Sequence, residues 1–578
     1  MQNLLTELEH LFSIAAQKAF DLNLFKAEIT QSTQDAFGHY QCNSALKLAK
    51  ELKLNPRQVA QKMVDAIRST PMLYKIEIAG PGFINLWIDP SFLSHELEEM
   101  VKDPKLGLPH LKNPKKIIVE FSSPNVAKEL HVGHLRSTII GESIARLFEF
   151  LGHDVLRLSH IGDWGTQFGM LIAFMKENHP EVFELDSAVS IESLMGWYRE
   201  AKKLFDCDEA FKKRSQLEVI ELQSGNLDSL NAWKKICLIS RIAYEEIYSL
   251  LNVKVLDRGE SFYNPMLKDV IHRFVHLGLA EESEGAKCVF LEGFETMDKK
   301  PLPFIIQKSD GGYNYATTDL AAIIHRVTHE KADRIIHVVD SGQKLHFDML
   351  FKAAQAAQIY DPNTLRIEHV GFGVVLGEDG KKFKTRSGET VKLIDLLLEA
   401  VRRAKVILKE RMPEATHQEI EQLSVALGTN AVKYADLSSH RLKDYVFSYD
   451  RMLKFEGNTA AFLIYSYVRI LSIRAKSSLD LETLLEHPKI RLDHRSEVAL
   501  SIHLRQFAEC LKGFEEELLP NHLCDYLFNL AEKFNAFFRD CRVIGEKEEP
   551  SRLLLCYLTE RVFYEGLSIL GLTTMHRM

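Results

Sequence analysis

The sequence lacks any CxxC pair, although its 578 residues include eight cysteines. Cys42, Cys207, Cys237, Cys288, Cys510, Cys524, Cys541 and Cys556 are scattered, which argues against a cysteine-rich structural zinc and against a disulfide scaffold. No apolar run approaches the roughly 20 residues that a membrane-spanning helix needs. The opening MQNLLTELEH has no basic start followed by an apolar core, so no signal peptide is expected and the cytoplasm is the expected compartment. No Walker A pattern occurs, which disfavours a P-loop kinase or ATPase. Positive charge does not predominate either, with 72 Lys and Arg against 80 Asp and Glu. With a net charge of -8, any RNA partner must meet basic side chains gathered locally. What remains is an ordinary globular composition, 46% hydrophobic and 26% charged, too apolar for disorder. The length implies several domains, because single cores seldom grow past roughly 300 residues.

The most informative stretch runs from Val119 to Gly169. The β-branched run Ile117-Ile118-Val119 predicts a buried strand, Pro124 and Asn125 break it, and Leu135 to Phe150 has helical period with one apolar side. Between them lies His131-Val132-Gly133-His134, at a helix start whose free N–H groups and dipole favour an anion. Gly133 would let an adenine or a phosphate approach the backbone, and the two histidines could donate to one phosphate. Half of a zinc site, or helix-start residues without a special role, fit the tetrapeptide alone equally well.

The surroundings narrow this. His131-Val132-Gly133-His134 resembles the HIGH motif of class I aminoacyl-tRNA synthetases. Glu120 to Asn125 (EFSSPN) and Ser159 to Gly165 (SHIGDWG) resemble the arginyl-tRNA synthetase family in particular. The resemblance implies a multidomain α/β protein with a Rossmann-like parallel-sheet catalytic domain carrying a helical insertion, an N-terminal α+β domain and a C-terminal all-α bundle. It implies ATP-dependent attachment of L-arginine to tRNA(Arg) through an arginyl-adenylate. ATP with Mg²⁺ is the expected cofactor, no metal-binding side chain is singled out, and a monomer that needs tRNA to activate arginine is expected.

Residues 1–110 read as a small α+β unit. Leu4, Leu5, Leu8, Leu11 and Phe12 have helical spacing, Asn55-Pro56 starts a second helix, and two strands flank Gly80-Pro81-Gly82. By resemblance this is a tRNA D-loop-binding domain. There Gln41 and Asn43 could hydrogen-bond an exposed base and Tyr40 could stack on one, the alternative being a core tyrosine beside a capped turn.

Residues 113–440 are expected to be the catalytic domain, with a connective insertion at about 176–300. Its second half is expected to return at Phe304-Ile305-Ile306. Tyr315 and Asp319 then share a face of a helix start, and the strand Arg334 to Asp340 leads into Ser341 to His346. Ligands bind at the carboxyl ends of such strands, where these loops join the His131 loop. Lys381 to Gly388 falls where the KMSKS loop is expected. Lys382 matches its first lysine and Thr385 stands in place of the second, with Lys382 and Lys384 the triphosphate-binding candidates. Many arginyl-tRNA synthetases share that loss and carry a lysine just before the HIGH motif, and by resemblance Lys128 holds the position. Residues 445–578 read as a helical anticodon-binding domain, with Tyr465, Tyr467, Arg469 and Arg474 as candidate base contacts.

The chemistry needs donors more than a nucleophile, so His131, His134 and Lys128 are the catalytic candidates, with Gly133 lining the ATP site. A guanidinium carries five N–H donors in a plane and calls for acceptors in a fixed fork. By resemblance Glu120, Asp319 and Tyr315 take that end, while Ser123, Asn125, His131 and Gln343 take the α-amino and carboxylate end. Structural alternatives are an ion pair between Glu120 and a nearby arginine, and a capping role for Asp319. Two other functions stay open at this level: another HxGH nucleotidyltransferase, and a catalytically silent tRNA-binding paralogue.

Overall fold

The computed structural model describes residues 3–32, 34–67, 70–184, 189–381 and 391–578. The chain divides into two compact units, one of Asn113–Lys454 with Ile569–Thr573, the other of Met1–Lys112, Phe455–Ser568 and Thr574–Met578.

The first unit is built on a five-stranded parallel sheet. Its strands are β1 (Lys116–Glu120), β2 (Asp154–Ser159), β3 (Leu256–Asp257), β4 (Arg334–His337) and β5 (Arg366–His369), in the order β5-β4-β1-β2-β3. Strand order reverses beside β1, between β1 and β4, and a doubly wound sheet opens its ligand crevice at that point. Ile117, Ile118 and Val119 are buried, as a central parallel strand covered on both faces requires.

Helix α1 (Val132–Leu151) follows β1 and ends at Gly152, whose left-handed φ of 103° suits a residue without a Cβ. The expected one-sided apolar pattern is an underestimate, because this helix is buried nearly all round. Two of its buried polar residues find partners inside: Ser137 Oγ donates to the Val338 carbonyl at 2.6 Å, and the Arg136 guanidinium reaches Asp436 at 3.2 Å and the Lys443 carbonyl at 3.0 Å. Gly141 lies against Phe121, where a Cβ would meet the ring at 2.3 Å.

Three expectations are corrected in this unit. Phe304-Ile305-Ile306 does not rejoin the parallel sheet; Pro301–Gln307 pairs antiparallel with Ala286–Glu295 in a separate three-stranded sheet. Its burial explains why, since Phe304 and Ile306 are buried while Ile305 is exposed, the alternation of a one-faced sheet. Leu256–Asp257, within the stretch assigned to the insertion, instead supplies the edge strand β3. Helices Ile191–Cys207, Glu209–Ser224 and Leu227–Leu250 form most of the intervening segment. Further on, α2 (Tyr315–Thr328) leads into β4, and α3 (Lys344–Ala356) leads from β4 to β5. Tyr445–Val446, expected in the all-helical part, pairs in parallel with Val375–Leu376.

In the second unit a four-stranded antiparallel sheet joins a helical bundle. Ile29–Gln31, Tyr40–Cys42, Phe83–Ile88 and Leu73–Ala79 lie side by side in that order, and the last two are the strands expected around Gly80-Pro81-Gly82. Asn55 caps helix Pro56–Asp65 by accepting from the Arg57 and Gln58 N–H groups. The bundle comprises Ala460–Arg474, Arg495–Arg505, Phe507–Glu517, Pro520–Asp540 and most of Glu549–Ile569. Sheet and bundle are fastened by Glu509, whose buried carboxylate accepts from Tyr40 Oη at 2.8 Å, Gln31 Nε2 at 2.8 Å and the Leu5 N–H at 3.0 Å. Among the described residues no helix is long and apolar enough to cross a membrane.

Candidate active site

The loop leaving β1 is bent by backbone conformations that side chains rarely adopt. Ser122, Ser123 and Ala127 have φ values of 67°, 47° and 60°. Such strain persists only where surrounding bonds hold it. Here the Ser122 N–H donates to Ser137 Oγ at 2.8 Å, the Ala127 N–H to Ser240 Oγ at 3.0 Å, and the His160 N–H to Ser123 Oγ at 3.0 Å. Asn125 is clamped beside Gly162, where a Cβ would stand 2.1 Å from Asn125 Oδ1. Only glycine permits that approach.

His131 then starts α1 from outside the helix, with extended φ and ψ of -118° and 173°. The two motif histidines form a reciprocal cap: His131 Nδ1 accepts from the Gly133 N–H at 3.0 Å, and His134 Nδ1 accepts from the His131 N–H at 3.1 Å. Backbone donors thus occupy both Nδ1 atoms, so each neutral ring carries its proton on Nε2. Burial, together with Lys128, lowers the His131 pKa; burial, together with His131, brings His134 down to about 3. Near neutral pH both are uncharged donors through Nε2–H. Lys128 itself is exposed on the preceding loop.

These groups open onto a cavity of about 670 Å³ at the carboxyl ends of β1 and β4. Of the residues singled out from sequence, Ser123, Asn125, His131, Gly133, His134, Tyr315, Asp319 and Gln343 all line it. Phe372, Gly373, Val374 and Val375 line it too. Gly373 is pressed against the Lys443 backbone, where a Cβ would lie 2.8 Å from the carbonyl carbon.

Glu120 requires a correction, for it is absent from the cavity lining. Its carboxylate is buried and pairs with the guanidinium of Arg326, itself 0% exposed, with His337 Nδ1 3.3 Å away. Burial pushes that carboxyl up, but Arg326 and His337 override it and hold the group well below the usual carboxylate range. Glu120 is therefore an ion-pair partner beneath the site. Tyr40, expected to stack on a base, is likewise a core residue with 0% exposure and its hydroxyl on Glu509. Phe37, three residues earlier in the chain, carries an exposed ring, at 43%. Gln41 donates to Asn85 at 2.7 Å and Asn43 to Thr30 at 3.3 Å. Lys382 and Lys384 lie outside the described residues. In the bundle Tyr467 is buried and Arg474 pairs with Glu560, whereas Tyr465 is exposed.

Two residues around Asp319 are not apparent from the sequence. His346 lines the cavity, with Nε2 2.7 Å from Asp319 Oδ2. Its i, i+3 relation to Gln343 was the available signal. Glu260 stands near Asp319 from another element, and burial, with the Asp319 and Asp163 carboxylates, pushes it up to about 7. No spacing in the sequence connects it to the site. Among the described residues, no group of three or more His, Cys, Asp and Glu side chains could hold a metal ion.

Comparison with known proteins gives a consistent set. Residues 96–449 match the family model described as tRNA synthetases class I (R), catalytic domain. Residues 6–88 match the arginyl tRNA synthetase N terminal domain, and residues 463–578 the DALR anticodon binding domain. The arginine–tRNA ligase of Protochlamydia amoebophila is 56% identical over 100% of both chains, and that of Trichodesmium erythraeum is 47% identical over 100% of both. Among solved structures, Plasmodium falciparum arginyl-tRNA synthetase superposes with a TM-score of 0.87 at 33% identity, covering 100% of each chain. Thermus thermophilus arginyl-tRNA synthetase, at 22% identity and a TM-score of 0.80 over 100% of each chain, shares the fold.

Proposed function

Because the chain belongs to the arginyl-tRNA synthetase family, we propose that the cavity at the carboxyl ends of β1 and β4 activates arginine with ATP and passes it to tRNA(Arg). The arginine carboxylate attacks the α-phosphorus of ATP, forming arginyl-adenylate as the bond to pyrophosphate breaks. A terminal ribose hydroxyl of the tRNA then attacks the arginyl carbonyl and AMP leaves. Mg²⁺ would be held by the triphosphate itself and would neutralise its charge, and the enzyme works as a cytoplasmic monomer; the family resemblance supports these last points.

The carrying observation is convergence. Ser123, Asn125, His131, Gly133, His134, Tyr315, Asp319 and Gln343, from three separate strand-to-helix crossings or helix starts, line one space. The triphosphate binds at the start of α1, where the His131 and His134 Nε2–H groups donate to phosphate oxygens as charge moves onto the leaving group. Neither histidine brings a charge; Lys128 supplies it, with Lys382 and Lys384 as the loop's contributors. Adenine lies over Gly133. Ser123, Asn125 and Gln343 hold the amino and carboxylate groups of arginine.

Asp319 and Tyr315 receive the guanidinium, with Glu260 adding negative potential. Glu120 serves this end by holding Arg326. On the tRNA, Gln41 and Asn43 contact the D-loop with Phe37 as the stacking ring, and the helical bundle takes the anticodon. Steady-state aminoacylation tests the assignment. Asp319→Asn should raise the KM for arginine about 100-fold or more, since a charge-assisted fork is lost, and leave the KM for ATP unchanged. An unchanged arginine KM would remove Asp319 from the pocket.

A further inference from the structure

We infer that His346 positions the Asp319 carboxylate and thereby sets the selectivity for a planar, forked cation. This rests on the reading that Asp319 receives the guanidinium.

Four side chains build the acidic end from two helix starts. Tyr315 and Asp319 are four residues apart on α2; Gln343 and His346 are three apart at the start of α3, so each pair shares one face. All four line the cavity. His346 Nε2 lies 2.7 Å from Asp319 Oδ2, a hydrogen bond to a carboxylate. The only other imidazole near this carboxylate among the described residues, His160, is 3.9 Å from Oδ1, beyond hydrogen-bond reach. One oxygen is therefore pinned and the other is left as an acceptor.

The pin is rigid because the His346 ring is wedged. Tyr315 meets it edge-on at 4.9 Å between centroids, Phe304 stacks at 6.1 Å and Phe347 packs edge-on at 5.4 Å. An unpinned aspartate turns about its terminal torsion over a broad range. A guanidinium, whose donors lie in one plane, binds well only when the acceptor plane is fixed beforehand, whereas an ammonium is indifferent to it. His346 need not touch arginine to decide how well arginine fits.

The test is aminoacylation by the full chain with saturating tRNA, comparing His346→Phe, which keeps the ring packing and deletes the donor, with His346→Gln, whose amide N–H has the reach of Nε2. His346→Phe should raise the arginine KM about tenfold, the worth of one hydrogen bond to a charged group, with the ATP KM moving less than about twofold. His346→Gln should recover most of that loss, which a merely structural role would not produce. If His346→Phe does not fold, His346→Asn, polar but too short to reach Oδ2, takes its place. An unchanged arginine KM, an equal rise in ATP KM, or a glutamine variant as poor as the donor-free one would each overturn the proposal. Asp319→Asn in the same series separates the two ideas. If it too leaves arginine KM unchanged, the pocket reading fails; if it is impaired beside a normal His346→Phe, only the positioning role fails.

Discussion

Replacing Glu120 with Gln separates a residue that reads arginine from one that holds the floor beneath it. The change removes one charge from a pair in which Arg326 is 0% exposed, leaving a guanidinium buried without its counter-ion. Breaking a buried pair in this way costs about 3–5 kcal/mol. For a unit of this size that lowers the melting temperature by on the order of 5–10 °C. Differential scanning calorimetry of Glu120→Gln, Arg326→Met and the double variant measures the coupling. The double variant should recover most of the loss, because removing both charges leaves no buried ion uncompensated. The pH dependence has a definite sign. Glu120 is held well below the usual carboxylate range when folded, so its stabilisation is complete above the unfolded value of about 4.3 and fades as pH falls through the folded one. The gap between wild type and Glu120→Gln should therefore shrink below about pH 4. In arginine kinetics, the folded variant should lose no more than about tenfold in kcat/KM. A melting temperature unchanged beside an arginine KM raised about 100-fold would refute the reasoning and return Glu120 to direct contact.

Three further outcomes follow from the geometry. Gly162→Ala puts a Cβ 2.1 Å from Asn125 Oδ1, so Asn125 must move; arginine kcat/KM should fall about 100-fold with ATP KM little changed, read by pyrophosphate exchange with tRNA present. Glu260, at about 7 when arginine is absent, should be driven to its ionised form by an incoming guanidinium. Arginine binding near pH 6.5 should then release a proton, seen by calorimetry in buffers of different ionisation enthalpy, and the release should disappear in Glu260→Gln. Tyr40→Phe should cost about 1.5–3 kcal/mol of stability by removing a donor from the buried Glu509, with tRNA KM unchanged in the folded enzyme, whereas Phe37→Ala should leave stability alone and raise tRNA KM.

What could be read in advance was local in sequence. Ser123, Asn125, His131 and His134 lie on one strand-to-helix crossing, and Tyr315 with Asp319 on one helix turn, so spacing alone brings them to one face. The partners that reassign Glu120 and Tyr40 are not local. Arg326 comes from helix α2, 206 positions from Glu120 on β1, and Glu509 lies 469 positions from Tyr40. A buried carboxylate and a binding carboxylate look alike until the counter-ion is found. Phe304 to Ile306 misled for a related reason. Three apolar residues fit a buried parallel strand or one strand of a half-exposed sheet, and only the exposure of Ile305 decides between them. Glu260 was invisible because the chain that carries it returns to the site through the short edge strand β3, within a segment that otherwise reads as insertion.

ATP–pyrophosphate exchange across the twenty amino acids, each with and without tRNA, measures directly which amino acid this cavity activates. Exchange with arginine alone, appearing only when tRNA(Arg) is added, is the expected result. Exchange with a different amino acid, or none with any despite measurable tRNA binding, would contradict it.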